Sequence, residues 1–282
     1  MNLLLNGLLD GLNISLVAFA FGVVWAAIKT VNVVQAEVIP ACGVALWVCR
    51  NDGMLTQYVV AILIAIALAV ASFVIVRLVL RRAPDPRLMT LIVSIALTGM
   101  IGAVLQVITS SQTVSPPKVL PAGFINVAGV TLTWDYITAG LVSAGLMAVG
   151  YVVLRFSRAG LALRSTAHDS IIAAANGVDG RRVALFATVV GFALAGTAGI
   201  MQAGLTHGVD PFSGLDGALE GIVAMLIGGA GNPLGAVAGG LAVGFVDTAV
   251  TIYVGGTFAS AIIFAALVVV ILIRPAGIIG EW

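Results

Sequence analysis

The chain has 282 residues, 61% of them hydrophobic and only 9% charged, with a formal net charge of +1. Soluble domains carry about a quarter charged residues, so the composition excludes an ordinary soluble domain, and its near-neutral balance argues against a nucleic-acid partner. Lipid offers the backbone no hydrogen-bond partner, so each crossing must be a helix or belong to a closed barrel. Apolar runs that are continuous rather than alternating favour helices. The expected fold class is an all-α polytopic membrane protein, a single transmembrane domain over 1–282 with eight to nine helices, short or broken ones among them.

From the N-terminus, candidate crossings fall at 12–28, 36–49, 57–76, 88–108, 136–154, 183–206, 217–231, 234–252 and 258–273. Several reach the ~20 residues that a bilayer requires. No Lys or Arg precedes Leu12 and no A-x-A-like site follows the first run, so a cleavable signal is not expected. The runs 36–49 and 217–231 are short, and each holds an acid, Glu37 and Glu220. Such segments point either to a broken or re-entrant helix beside a substrate path or to tilted crossings. Their placement, one in each half, hints at two related halves.

Cys42 and Cys49 have neither a CxxC nor a metal-type spacing and read as buried free thiols. The APDP run at 83–86 is a tight connector. In the loop 109–135, Val130, Leu132 and Trp134 alternate with threonines, which predicts a short strand or hairpin on the membrane surface. Gly191, Ala195 and Gly199 are spaced by four, as are Gly235 with Gly239 and Gly240 with Gly244. These faces allow close helix approach, within the chain or across a dimer seam. The GGAGNP run at 228–233 lacks the Lys-Ser/Thr ending of a phosphate loop; Asn232-Pro233 is expected to break a helix hairpin.

If the N-terminus is outside and all nine runs cross, Lys29, Arg77, Arg81, Arg82, Arg87, Arg155, Arg158, Arg164, Arg181, Arg182 and Arg274 face the cytoplasm. Only Arg50 and Lys118 then face out, the asymmetry that the positive-inside rule requires. A re-entrant 36–49 with an inside N-terminus moves only Lys29. The orientation after Arg50 is therefore fixed, while the first fifty residues stay open.

The longest polar interval between two spans, 155–183, carries five of the thirteen basic residues. Within it, Thr166-x-x-Asp169 reads as a helix-capping signal, Ile171, Ile172 and Ala173 to Ala175 form an apolar patch, and Gly177 supplies a left-handed stop. The helix of about ten residues so predicted is marginal alone in water. Its patch needs a partner's groove, the rest of the chain, or a lipid surface. His168 adjoins Asp169 but does not face it on a helix, and His207 lies at the opposite side, so no catalytic or metal centre is expected.

The run GLALR at 160–164, then Ala167-x-Asp169 and Gly177-Val178, resembles the cytoplasmic coupling loop of LivH-type permeases, the membrane subunits of branched-chain amino acid ABC importers. The resemblance continues in Val127 to Trp134, Gly214-x-x-Gly217, Leu226 to Gly240 and the ending Arg274 to Gly280. It covers the chain in outline and 157–282 most specifically. It implies a non-catalytic subunit that contacts a cytosolic ATPase through Thr166, Ala167, His168, Asp169, Ile171, Ile172 and Gly177. It further implies a second permease (LivM-like, or a second copy), two cytosolic ABC ATPases that carry ATP-Mg, and a periplasmic substrate-binding protein. The implied setting is a bacterial inner membrane, and no cofactor is implied on this chain.

Similar permeases carry NFAHGE after the first crossing; here Asn32 and Glu37 are kept while Gln35 and Ala36 replace the His and Gly. Glu220 stands where such proteins carry a small residue. Amino acids are the first cargo the resemblance implies, with urea or short amides next and sugars third. Glu37, Glu220 and Asp247 all fall within apolar runs. An Asp at the bilayer centre costs about 2.5–3.5 kcal/mol, so these acids face the interior or a wet path unless they sit at headgroup depth. With Asn32 and Gln35 they are the candidate path residues. The competing classes are an ion-coupled secondary transporter that uses these acids, and a structural scaffold.

Overall fold

The structure, a computed structural model, describes residues 2–80, 86–121, 123–127, 130–274 and 277–278. Arg81, Arg82, the connector at 83–85 and the last four residues lie outside them, as does the side chain of Arg87. Uninterrupted apolar sequence becomes helix because its own carbonyls are the acceptors within reach. The elements are α1 (Asn2–Ile28), α2 (Val34–Val48), α3 (Met54–Leu80), α4 (Pro86–Thr109), β1 (Phe124–Val127), β2 (Val130–Thr133), α5 (Trp134–Phe156), α6 (Arg158–His168), α7 (Ser170–Ala175), α8 (Gly180–Thr206), α9 (Gly214–Gly228), α10 (Pro233–Tyr253) and α11 (Ala259–Ile273). A 3-10 turn at Gly256–Phe258 precedes α11.

Every predicted crossing is a helix. Among the described residues six helices, namely α1, α3, α4, α5, α8 and α10, are long and apolar enough to span a membrane individually. The chain is a multi-pass membrane protein whose named elements among the described residues are all helical except for one hairpin. That hairpin pairs Phe124 with Thr133 and Val127 with Val130 in antiparallel register, where the alternation with threonines placed it.

Close glycine contacts fix how the helices run. An added Cβ at Gly11 would meet Leu241, at Gly240 Ser15, and at Gly7 Phe245, so α1 and α10 are antiparallel. Gly239 lies on Ala224 and Gly228 on Gly235, which makes α9 and α10 a hairpin. Asn232 turns it, accepting from the amides of Leu234 at 3.0 Å and Gly235 at 3.3 Å with Pro233 in the first turn. On α8, Gly191 packs against Val24 and Ala20, and Gly199 against Ile39. The small-residue faces seen in the sequence are thus used within the chain. Helices α1, α2, α8, α9 and α10 form the centre, whereas α3, α4 and α5 keep most of their surface exposed.

Helix α2 answers the question of the first fifty residues. Gln35 sits beside Gly191, and Gly43 beside Ala203 and Val209. The helix therefore starts next to the middle of α8 and ends by its C-terminus, at about 22 Å long against the ~30 Å hydrocarbon core. Ile28 and Asn32 share a cavity with Arg77 and Arg181 at one end of the bundle. Val48 and Cys49 lie beside Val104 and Ile108 at the other. The segment before α2 is non-helical, which is tolerated at depth where protein covers it; Asn32 and Val34 are buried. So α2 proceeds across rather than turning back. Lys29, Arg77, Arg155, Arg158, Arg164, Arg181, Arg182 and Arg274 collect at one end, and Arg50 and Lys118 at the far end.

Candidate functional site

At the basic end the chain builds a ledge. Ser157 starts α6 by accepting from the Gly160 amide at 3.0 Å. A side chain at Gly160 would collide with the Leu154 backbone, so this glycine lets α6 fold tightly back on α5. Leu163, fully buried, pins α6 into the main core, and Arg164 donates to the Arg155 carbonyl at 2.9 Å. The polar interval thus holds two helices, where the sequence reading expected one of about ten residues.

Thr166 is not the cap. It lies in the last turn of α6, and its hydroxyl donates to the Ala162 carbonyl at 2.8 Å. Such back-bonding satisfies a threonine inside a helix and withdraws it from capping. Asp169 takes the role, its Oδ1 accepting from Ile171 at 2.8 Å and Ile172 at 3.0 Å. At the other end the Val178 amide donates to Ala173 and the Gly177 amide to Ala174, a Schellman closure that requires the positive φ of 82° at Gly177. The product is a six-residue helix fixed at both ends. Within α7 only Ala173 is buried, while Ile171 is 81% and Ile172 60% exposed. Asp179 caps α8 directly afterwards through the Arg181 amide at 2.9 Å and pairs with Arg182 at 3.3 Å.

The interior candidates divide into two groups. Gln35 is fully buried on α2 and donates to the Gly191 carbonyl at 3.2 Å, while its Oε1 has no partner among the described residues. Asn32 Oδ1 accepts from the Val34 amide at 3.2 Å just before α2. Glu37, 6% exposed, lies against Gly214 of α9 and Gly102 of α4, and its Oε2 has no hydrogen-bond partner among the described residues. An added Cβ at Gly214 would stand 3.0 Å from that carboxylate, and one at Gly217 would lie 3.6 Å from Gln202. The Gly-x-x-Gly spacing seen in the sequence therefore clears room for two polar side chains.

Glu220 and Asp247 stand elsewhere, in electrostatic range of each other and of Asp10, with Asp216 also in range of Glu220, between α1, α9 and α10. Asp10 was not singled out in the sequence because the first apolar run was started after it. A cavity of about 230 Å³ opens at the far end, lined by Pro40, Thr113, Gln202, Thr206, Asp210 and Ser213 among others. Pro40 withdraws the helical partner of the Ala36 carbonyl. The backbone bridge between Val114 and Val209, at 3.0 and 2.8 Å, ties the two loops beside this cavity. None of these cavity-lining polar residues was among the candidates read from the sequence.

No cluster of three or more His, Cys, Asp or Glu able to hold a metal occurs among the described residues. The sequence matches the family described as branched-chain amino acid transport system / permease component over residues 3–272. It is 31% identical over 130 residues, 46% of this chain, to the high-affinity branched-chain amino acid transport system permease protein LivH of Escherichia coli K12. That match spans less than half of the relative's length, 42%. It is 25% identical to the BraD permease protein of the Pseudomonas aeruginosa branched-chain amino acid system, over 99% of this chain and 95% of the relative. In fold it is similar to a structure of PsaBC from Streptococcus pneumoniae in complex with Fab, with a TM-score of 0.57 and 14% identity over 98% of this chain and 93% of that one. Taken with the six membrane-length apolar helices among the described residues and the capped ledge, the match over nearly the whole length places the chain in the branched-chain amino acid transport system permease component family.

Proposed function

We propose that the chain is the permease subunit of an ATP-driven importer for amino acids, branched-chain ones or close analogues. Its basic end faces the cytoplasm of a bacterial inner membrane, and it forms half of a path completed by a second permease. Two cytosolic ATPases engage the ledge, which Ile171 and Ile172 present to solvent while α6 is locked to the core behind them. A binding protein delivers cargo at the far end. Glu37, Gln35 and the polar cavity between α2, α8 and the 207–213 connector offer groups for an amino acid's charged ends. The chain itself hydrolyses nothing; the ATP and Mg²⁺ are bound by the ATPases.

The single observation that carries this reading is the doubly fixed α7 with its two exposed isoleucines. Desolvating two such side chains in a partner's groove contributes roughly 2–4 kcal/mol at 1.5–3 kcal/mol per fully buried side chain, discounted for partial burial. The experiment is co-purification of the assembly with Ile172→Asp and Asp169→Arg. Both variants should lose the ATPases while remaining inserted and retaining the second permease. Retention of the ATPases and of uptake in both would overturn the proposal.

A further inference from the structure

At the basic end a cavity of about 320 Å³ opens between the α1–α2 link, α3, α4 and α8. Arg77 and Arg181 stand in its wall with Asn32, Thr90, Thr188 and Phe73, and no acidic side chain lines it among the described residues. Arg181 and Thr188 are two turns apart on α8, so the cavity reaches about 10 Å along the helix axis. Charge is thereby stationed at the mouth and neutral polar groups deeper in, the Thr188 hydroxyl as an acceptor because its proton goes to the Ala184 carbonyl at 2.8 Å. Phe73, whose ring lies 5.7 Å from the Arg77 guanidinium, and Val76 add an apolar wall. Two of the bounding helices, α3 and α4, are largely exposed spans, which sets the cavity towards the lipid-facing rim.

We propose that this cavity binds the phosphate group of an anionic phospholipid from the leaflet at the basic end. Two guanidiniums present a planar fork of donors suited to phosphate oxygens, and basic pockets between spans at the cytoplasmic side are the usual setting for such headgroups. The hydroxyls of Thr90 and Thr188 and the amide of Asn32 lie where the glycerol and ester region would follow. Phe73 and Val76 line the way to the first acyl carbons. A lipid held there would brace the α1–α2 link against α8 at the level where α2 begins.

The test uses the full-length protein in its permease assembly. Native mass spectrometry would be run in micelles that contain equimolar dioleoyl-phosphatidylglycerol and dioleoyl-phosphatidylcholine. The wild type should retain phosphatidylglycerol about tenfold over phosphatidylcholine, since each basic residue near an anionic surface contributes roughly fivefold before screening. Arg77→Ala with Arg181→Ala should abolish the preference, while Arg182→Ala, a basic residue outside the cavity, should keep it. Should the double variant fail to fold, Arg181→Gln alone is expected to lower the preference by about threefold. Equal preference in wild type and cavity variants would overturn the proposal. So would displacement of the lipid by millimolar inorganic phosphate, which would make the site one for a free anion. Loss of the ATPase subunits with lipid preference intact would assign the arginines to a protein partner instead.

Discussion

Asp169→Ala is the perturbation whose size the structure sets most directly. Of the first amides of α7, those of Ile171 and Ile172 end on the same carboxylate oxygen, at 2.8 and 3.0 Å. Removing an Asp cap costs about 1 kcal/mol, which opens the helix roughly fivefold more often. Packing cannot compensate, because Ala173 is the one side chain of α7 that is buried. Asp169→Asn should behave as wild type, since Asn caps as well as Asp. Gly177→Ala should add a further cost of about 1–2 kcal/mol at its positive φ, so the double variant should open at least thirtyfold more often. The assay is hydrogen exchange across 170–178 in the intact assembly, followed by the ratio of uptake to ATP hydrolysis. Exchange that is unchanged in the Ala variant, or that is equally fast in Ala and Asn, would refute the assignment of the cap. Uptake unaffected by thirtyfold faster opening would show that the ledge transmits no force.

Three further outcomes follow from the same contacts. Thr166→Ala should change stability by no more than about 0.5 kcal/mol in thermal unfolding, because its hydroxyl only back-bonds to Ala162 inside α6; a cost as large as that of Asp169→Ala would restore it as the cap. Gly240→Leu should abolish stable insertion or lower the melting temperature sharply, since even a Cβ there meets the Ser15 backbone and overpacking costs about 1–3 kcal/mol or more; wild-type melting would contradict the α1–α10 contact. A membrane-impermeant maleimide applied from outside should label Cys49 and spare Cys42, whose buried thiol donates to the Ala61 carbonyl at 3.3 Å; labelling of Cys49 from the cytoplasmic side alone would reverse the proposed orientation.

The sequence carried the helices well because lipid leaves so few alternatives: each apolar run from α1 to α11 emerged as helix, and Asn232-Pro233 and Gly177 fell where their chemistry dictates. What it could not carry were choices between neighbours with equal local claims. Thr166 and Asp169 both have capping side chains. The winner is set by where α6 ends, and that depends on Gly160 and Leu163 seating α6 against α5 and the core. A tertiary contact thus decided a local cap. The same holds for Asp10, whose place among the acids follows from α1 starting at Asn2 and packing along α10.

The acids make the point more sharply. Glu37, Glu220 and Asp247 looked equivalent in sequence, each a carboxylate inside an apolar run. The structure separates them by the helix each sits on and its register there. On α2, the short helix that begins at the middle of α8, Glu37 comes to lie under the glycines of α4 and α9. Glu220, six residues along α9 from Gly214, is carried to the opposite group beside Asp10 and Asp247. Carboxylates near one another cannot all stay ionised cheaply in lipid, whereas Glu37 stands apart from that group, against Gly214 and so next to Ser213 of the far-end cavity. On the function proposed above, Glu37 is the carboxylate assigned to meet the ammonium of an amino acid. The Gly214-x-x-Gly217 spacing would then serve the cargo, by leaving room around that side chain, as much as it serves the packing of α9.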